Sequence, residues 1–303
     1  MVTMTKFGPY RAYRLASDEL CVSVMSLGAT VTGVEFRGRA VALGYPRAED
    51  YLTHGAYLGA TVGRYANRIA GGRFPLGGRT VALETNENGN TLHGGPDSWD
   101  RRVWDSRVEG ESVVFSLLSP DGDNGFPGNL RAEVRYTVAG GTLRIDFLGE
   151  TDADTVYAPT NHMYFNLSGE GDILGTQMRI PAAGVLEVGE GLIPTGRVLP
   201  AEGDFDFSAP RPIARSYDHA FVLAGPRACE VEAAGVRLVL ETDFPALQFY
   251  TGDYLGEPFG ARGGFAVEPE CYPDAPNRPD FPSTVLRPGE RFCKTAEYRF
   301  ETV

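Results

Sequence analysis

Two histidines, His93 in NTLHGG and His162 in TNHMYFNLSG, sit among uncharged turn-forming residues and make up half of the four histidines in this 303-residue chain. Histidine is the side chain that ordinarily titrates nearest neutral pH, so a pair in polar turns points to proton transfer. Read singly, each is equally a loop histidine that hydrogen-bonds its own turn. The surrounding inventory favours chemistry. Asn67 and Arg68 in GRYANRIAGGRF, Asp218 in YDHAF, Gln248 in LQFYTG and Glu268 in FAVEPECYPDAPNRP add donors and carboxylates, with no metal-ligand or phosphate-loop spacing. General acid and base catalysis with no metal and no cofactor is the expectation, while His54 and His219 read as structural.

These residues need a scaffold, and the clearest periodicity is two. Ala132, Val134, Tyr136 and Val138 alternate with Arg131, Glu133, Arg135 and Thr137; after Gly140 and Gly141, Leu143, Ile145 and Phe147 alternate with Arg144 and Asp146. This predicts a hairpin whose tight turn takes its positive-φ residues from the two glycines. Val236, Leu238 and Leu240 predict another strand, and VVFSLLS at 113–119 reads as a strand buried on both faces. Helical periodicity with caps is scarce. With 38 glycines and 21 prolines punctuating short apolar runs, the chain reads as an all-β sandwich in one domain, 1–303. The stretch 169–218, rich in Gly, Pro and acidic residues, predicts loops walling a cleft, with a strand or two among them.

Charge excludes several classes. With 28 basic against 40 acidic residues and a net charge of -12, the chain offers no basic field for nucleic acid or an acidic membrane. Cys21, Cys229, Cys271 and Cys293 are far apart without CxxC spacing, which predicts reduced core thiols rather than a zinc or dithiol site. No apolar run is long enough for a membrane span and the first residues do not resemble a signal peptide, so a cytoplasmic protein is expected.

Seven segments occur in an order that resembles the aldose 1-epimerase family, the galactose mutarotases: GRYANRIAGGRF, NTLHGG, DGDNGFPGNL, TNHMYFNLSG, LIPTG, YDHAF and YPDAPNRPDFP. The similarity runs from about residue 20 to the C-terminus. It implies a large antiparallel β-sandwich of the supersandwich type with a sugar cleft on its concave face. It also implies interconversion of the α and β anomers of free hexoses such as galactose and glucose, by ring opening and reclosure. Glu268 matches the family's catalytic base, His162 the acid toward the ring oxygen and His93 a second histidine near the reacting oxygens. Asn67, Arg68 and Asp218 match sugar-binding positions, and Gln248 is a further amide for a hydroxyl.

Alternatives stay open. Glu270, two residues from Glu268, shares its strand face and stands where the family usually has a neutral residue; Pro269 between them is expected to bend the strand or move it to an edge. Arg64 and Arg73 compete with Arg68. Thr160, Asn161 and Asn166 are candidate partners for the His162 ring, and Met163 stands where the family often has a small hydroxyl residue. No aromatic among Tyr65, Trp99, Tyr164, Phe207 and Tyr250 is singled out as a sugar platform. Rival functions are a non-catalytic carbohydrate-binding β-sandwich and an epimerase of phosphorylated hexoses, for which Arg101 and Arg102 form the one adjacent basic pair near a motif. The expected partner is a small sugar, with no nucleic acid or membrane, and the chain a monomer or homodimer.

Overall fold

The computed structural model describes residues 1–303 and is built from β-strands, with one short helix, Asp50–Thr53, and a few single 3-10 turns. A nine-stranded sheet runs in the order Asp105–Glu109, Ser112–Ser119, Leu130–Ala139, Thr142–Thr151, Phe292–Thr302, Val236–Thr242, Arg227–Ala233, Gln177–Arg179 and Arg211–Pro212. A six-stranded sheet follows the order Tyr164–Phe165, Phe265–Glu270, Ala246–Tyr250, Asp218–Leu223, Ala182–Val188 and Pro194–Leu199. The N-terminal residues form a five-stranded meander, and every strand pair in these three sheets is antiparallel. A cluster of 49 buried residues draws on all three sheets, including Leu15 and Val22, Phe115 and Val134, and Phe249 and Val267. No helix is long and apolar enough to cross a membrane.

The predicted hairpin forms with Val138 opposite Leu143, and its apolar face is buried. Only Gly140 takes positive φ, at 54°. Gly141 serves a different need, because a Cβ there would lie 2.5 Å from the Phe300 carbonyl oxygen. The 113–119 run is buried on both faces only in its first half: Leu118, opposite Arg131 on the solvent face, is exposed. Residues 169–218 hold four strands where one or two were expected: Ala182–Val188 and Pro194–Leu199 extend the six-stranded sheet, and Gln177–Arg179 and Arg211–Pro212 the nine-stranded one. The thiols are free, but of the four only Cys229 is fully buried and Cys293 is exposed.

Pro269 neither ends its strand nor breaks the ladder. Phe265–Glu270 lies inside the six-stranded sheet, yet its neighbour Tyr164–Phe165 covers only Phe265 and Ala266. The Pro269 carbonyl turns to that uncovered side and accepts from the Thr160 hydroxyl at 2.7 Å. In antiparallel pairing a residue's N and C=O face the same neighbour, so the missing N–H costs no bond to Ala246–Tyr250.

Candidate active site

Three adjacent strands make the floor of a cleft. Phe265 and Val267 point into the main core, so Ala266, Glu268 and Glu270 must point the other way. The register sets Gln248 beside Glu268 and Asp218 beside Tyr250, while Leu247, Phe249 and Phe221 fill the core behind them. Gln248 Nε2 donates to Asp218 Oδ1 at 2.6 Å, which ties the amide to the carboxylate.

Short backbone pairings bring the loop residues over this floor. Thr160–Asn161 pairs with Thr61–Val62, and Arg68–Ile69 pairs with Thr91–Leu92, so His162 and His93 each stand one residue past a two-residue strand. His162 is further tied by its peptide N–H to Ala60 O and by its carbonyl from Gly59 N–H. Gly94 lets the His93 loop close on the next segment, because a Cβ there would be 1.9 Å from Gly63 O. Tyr57, Asn67 and His93 adopt left-handed φ of 52°, 63° and 50°, a conformation that disfavours all but Gly and Asn and that the surrounding bonds must hold.

His93 Nδ1 accepts the Asn67 N–H at 3.1 Å, so the neutral ring carries its proton on Nε2. His162 Nε2 lies 3.6 Å from Glu268 Oε1, whereas its Nδ1 is buried without a protein partner. Thr160, Asn161 and Asn166 do not touch this ring. Their side chains serve Pro269 O, Gly59 O with the Tyr136 hydroxyl, and the carbonyls of Glu170, Gly171 and Gly263 instead. The two imidazoles stand with centroids 5.3 Å apart, and Tyr57 covers both.

Burial controls the charges. It pushes His162 down to about 4 and His93 well below its ordinary value, the second helped by the neighbouring ring and Arg68. Burial pushes Glu268 well above the usual carboxylate range, and the charges of Glu270 and Asp218 push the same way. Asp218 is also raised by burial, against the pull of Arg68 and Gln248.

A cavity of about 560 Å³ opens over these groups. Its lining contains each of Glu268, His162, His93, Asn67, Arg68, Asp218 and Gln248. Tyr164 and Tyr250 also line it, whereas Tyr65, Trp99 and Phe207 do not. Glu270 lies behind the lining. Arg64 is excluded: fully buried, it donates to the carbonyls of Ser119, Pro120, Pro127 and Gly128 and so braces the DGDNGFPGNL loop. Arg73 faces a separate shallow groove. Met163 points into the main core rather than the cleft.

Glu87 was not a sequence candidate. It grips Arg68 with two hydrogen bonds of 2.7 Å, to Nε and Nη2, so the guanidinium reaches the cleft already oriented. A half-buried arginine needs a counter-charge, and an acid in the turn just before NTLHGG was the available signal. His54 lies at the rim, stacked on Tyr45. His219 turns from the cleft onto Phe205, and its Nδ1 accepts the Asp218 N–H. No cluster of three or more His, Cys, Asp or Glu side chains is arranged to hold a metal ion.

The family model described as aldose 1-epimerase matches residues 11–299. Bovine galactose mutarotase is 38% identical over 97% of this chain and 94% of its own length. The aldose 1-epimerase of Escherichia coli K12 is 37% identical over 96% and 95%. Among solved structures, galactose 1-epimerase from Lactobacillus acidophilus superposes with a TM-score of 0.91 at 29% identity, covering 100% of this chain and 99% of that one. An aldose epimerase homologue from C. elegans gives 0.92 at 26% identity, with 100% of both chains covered. The fold is thus the antiparallel supersandwich of these mutarotases.

Proposed function

The chain belongs to the aldose 1-epimerase family, and from that premise we propose that it interconverts the anomers of free hexoses such as galactose and glucose. The observation that carries this reading is the pairing of Glu268 with His162, 3.6 Å apart on the cleft floor and perturbed in opposite directions. Burial makes Glu268 a stronger base and protonated His162 a stronger acid.

In the reacting form Glu268 is a carboxylate and His162 carries a proton on Nε2. Glu268 takes the proton of the C1 hydroxyl while His162 gives its proton to the ring oxygen. The C1–O5 bond breaks, the C1 carbonyl forms, and both side chains are left neutral, which is the state burial favours. Rotation about C1–C2 and reversal of the steps returns the other anomer. His93, through Nε2–H, and Arg68 supply hydrogen bonds to the oxygens that gain charge. Asp218 and Gln248 accept from and donate to the remaining hydroxyls, with Asn67 beside them.

Charge in the cleft favours a neutral sugar. Arg68 faces Glu87, Asp218 and Glu268, so a phosphate would meet a surplus of carboxylates. Arg101 and Arg102 do not line the cavity, and Arg102 is held by Asp97 and Asp123. Polarimetry of freshly dissolved α-D-galactose and α-D-glucose, in chelator and without added cofactor, tests the reading. Faster approach to the same final rotation is expected; no acceleration with either sugar refutes it.

A further inference from the structure

One buried acid is not used by this chemistry. Glu270 is 1% exposed, lies behind the cavity lining and shares a strand face with Glu268, itself 2% exposed. Burying two carboxyls side by side is costly, so the second one needs a role. Its Oε1 accepts from Asn67 Nδ2 at 3.2 Å; its Oε2, like Glu268 Oε2, has no partner. Asn67 in turn gives its N–H to His93 and accepts the Arg68 N–H, so Glu270 reaches the cleft through the residue that ties those two together.

We propose that Glu270 is a positioning residue that acts on the base: it ionises first and stands as a fixed negative charge behind Glu268, driving protons onto that carboxylate. This rests on the assignment of Glu268 as the base. The order of ionisation follows from the contacts. Burial and the charge of Asp218 raise both carboxyls, but Glu270 is relieved by the Asn67 amide and the Arg68 charge, whereas Glu268 has no such relief and also meets the charge of Glu270.

The other groups around Glu268 do not reverse that order. From the adjoining strands come neutral Gln248, Tyr250 and the acid Asp218; from the 160–165 segment, His162 and Tyr164. The loops add His93, held neutral by burial, and Arg68, whose charge is shared with Glu87. Tyr298 stands on the core side, and its own burial keeps its hydroxyl protonated.

Glu270→Gln keeps the shape and can still accept from Asn67 while removing the charge; Glu270→Asp keeps the charge. The readout is the pH profile of kcat/KM for both variants, with side-chain carboxyl titrations by 13C NMR in sugar-free protein. With His162 at about 4 and Glu268 raised above it, the alkaline limb reports the base: at the pH where the native enzyme falls to half of its plateau, Glu270→Gln should fall to about a tenth, a roughly five-fold difference, because its base holds a proton less tightly. Glu270→Asp should keep the native alkaline limb. In the unsubstituted protein the Glu270 carboxyl should ionise at lower pH than Glu268.

An unmoved alkaline limb in Glu270→Gln, or an equal displacement in Glu270→Asp, overturns the proposal. So does a Glu268 carboxyl that ionises before Glu270, a result that requires no variant to fold. Native turnover by Glu268→Gln would instead remove the base assignment, and the NMR order would still decide which carboxyl carries the charge.

Discussion

Replacing His162 should change how stability responds to acid, and the size of the effect follows from its burial. The folded ring titrates at about 4 against an ordinary 6.5, because burial penalises the imidazolium. The folded state therefore binds this proton less tightly than the unfolded chain. The resulting stability is complete above about pH 6.5, falls as pH drops, and is gone below about pH 4. At 1.36 kcal/mol per pH unit the full span amounts to about 3 kcal/mol, most of it lost by pH 4.5. The nearby Glu268 carboxyl titrates too, so the comparison belongs in a Glu268→Gln background. Urea unfolding at pH 7.5 and pH 4.5, with and without His162→Gln, isolates the histidine. The variant retaining His162 should lose about 2–3 kcal/mol more between the two pH values. Equal losses would mean that the ring is solvated or already charged in the fold, and the acid assignment would lose its physical basis.

Glu268→Gln should reduce turnover at least 100-fold, in the range of roughly 10²–10⁴ for a lost general base, with sugar affinity by calorimetry nearly unchanged. Glu87→Gln should lower kcat/KM by about tenfold, mainly through KM, because the pair holding Arg68 is partly solvent-exposed and is a binding clamp rather than a proton carrier. Arg64→Met should destabilise the fold by about 3–5 kcal/mol in thermal melts, since four carbonyls that it satisfies would stay buried. Glu268→Gln and Glu270→Gln should each raise stability at neutral pH relative to pH 4: a carboxyl raised by burial adds stability below its unfolded value and loses it as pH climbs through the folded one.

The strand scaffold was legible where one face meets the core and the other meets water. Leu130–Ala139 and Thr142–Thr151 alternate cleanly for that reason. Periodicity was less informative where both faces are covered. Phe265–Glu270 is buried throughout, so Glu268 and Glu270 read as polar residues on a strand whose solvent face does not exist. The strands within 169–218 were hidden by glycines and prolines, since Ala182–Val188 is irregular in register and cannot be told from loop by composition.

For the site, the seven residues named from the sequence all reach one cavity, but their mutual constraints were invisible. Those constraints join positions 19, 26 and 203 residues apart: Glu87 to Arg68, His93 to Asn67, and Glu270 to Asn67. Each is a polar contact made by a loop in left-handed or turn backbone, where neither period two nor period 3.6 predicts direction. The same contacts explain why the cleft can hold groups in unfavourable protonation states. Asn67 is bonded at its N–H, its Oδ1 and its Nδ2, so it cannot follow Glu270 or His93 without losing another partner. A rigid dipole network of this kind cannot reorganise to solvate a new charge as water would. Glu268 and His162 consequently stay hard to ionise, and in the proposed reaction that penalty favours moving a proton onto the one and off the other.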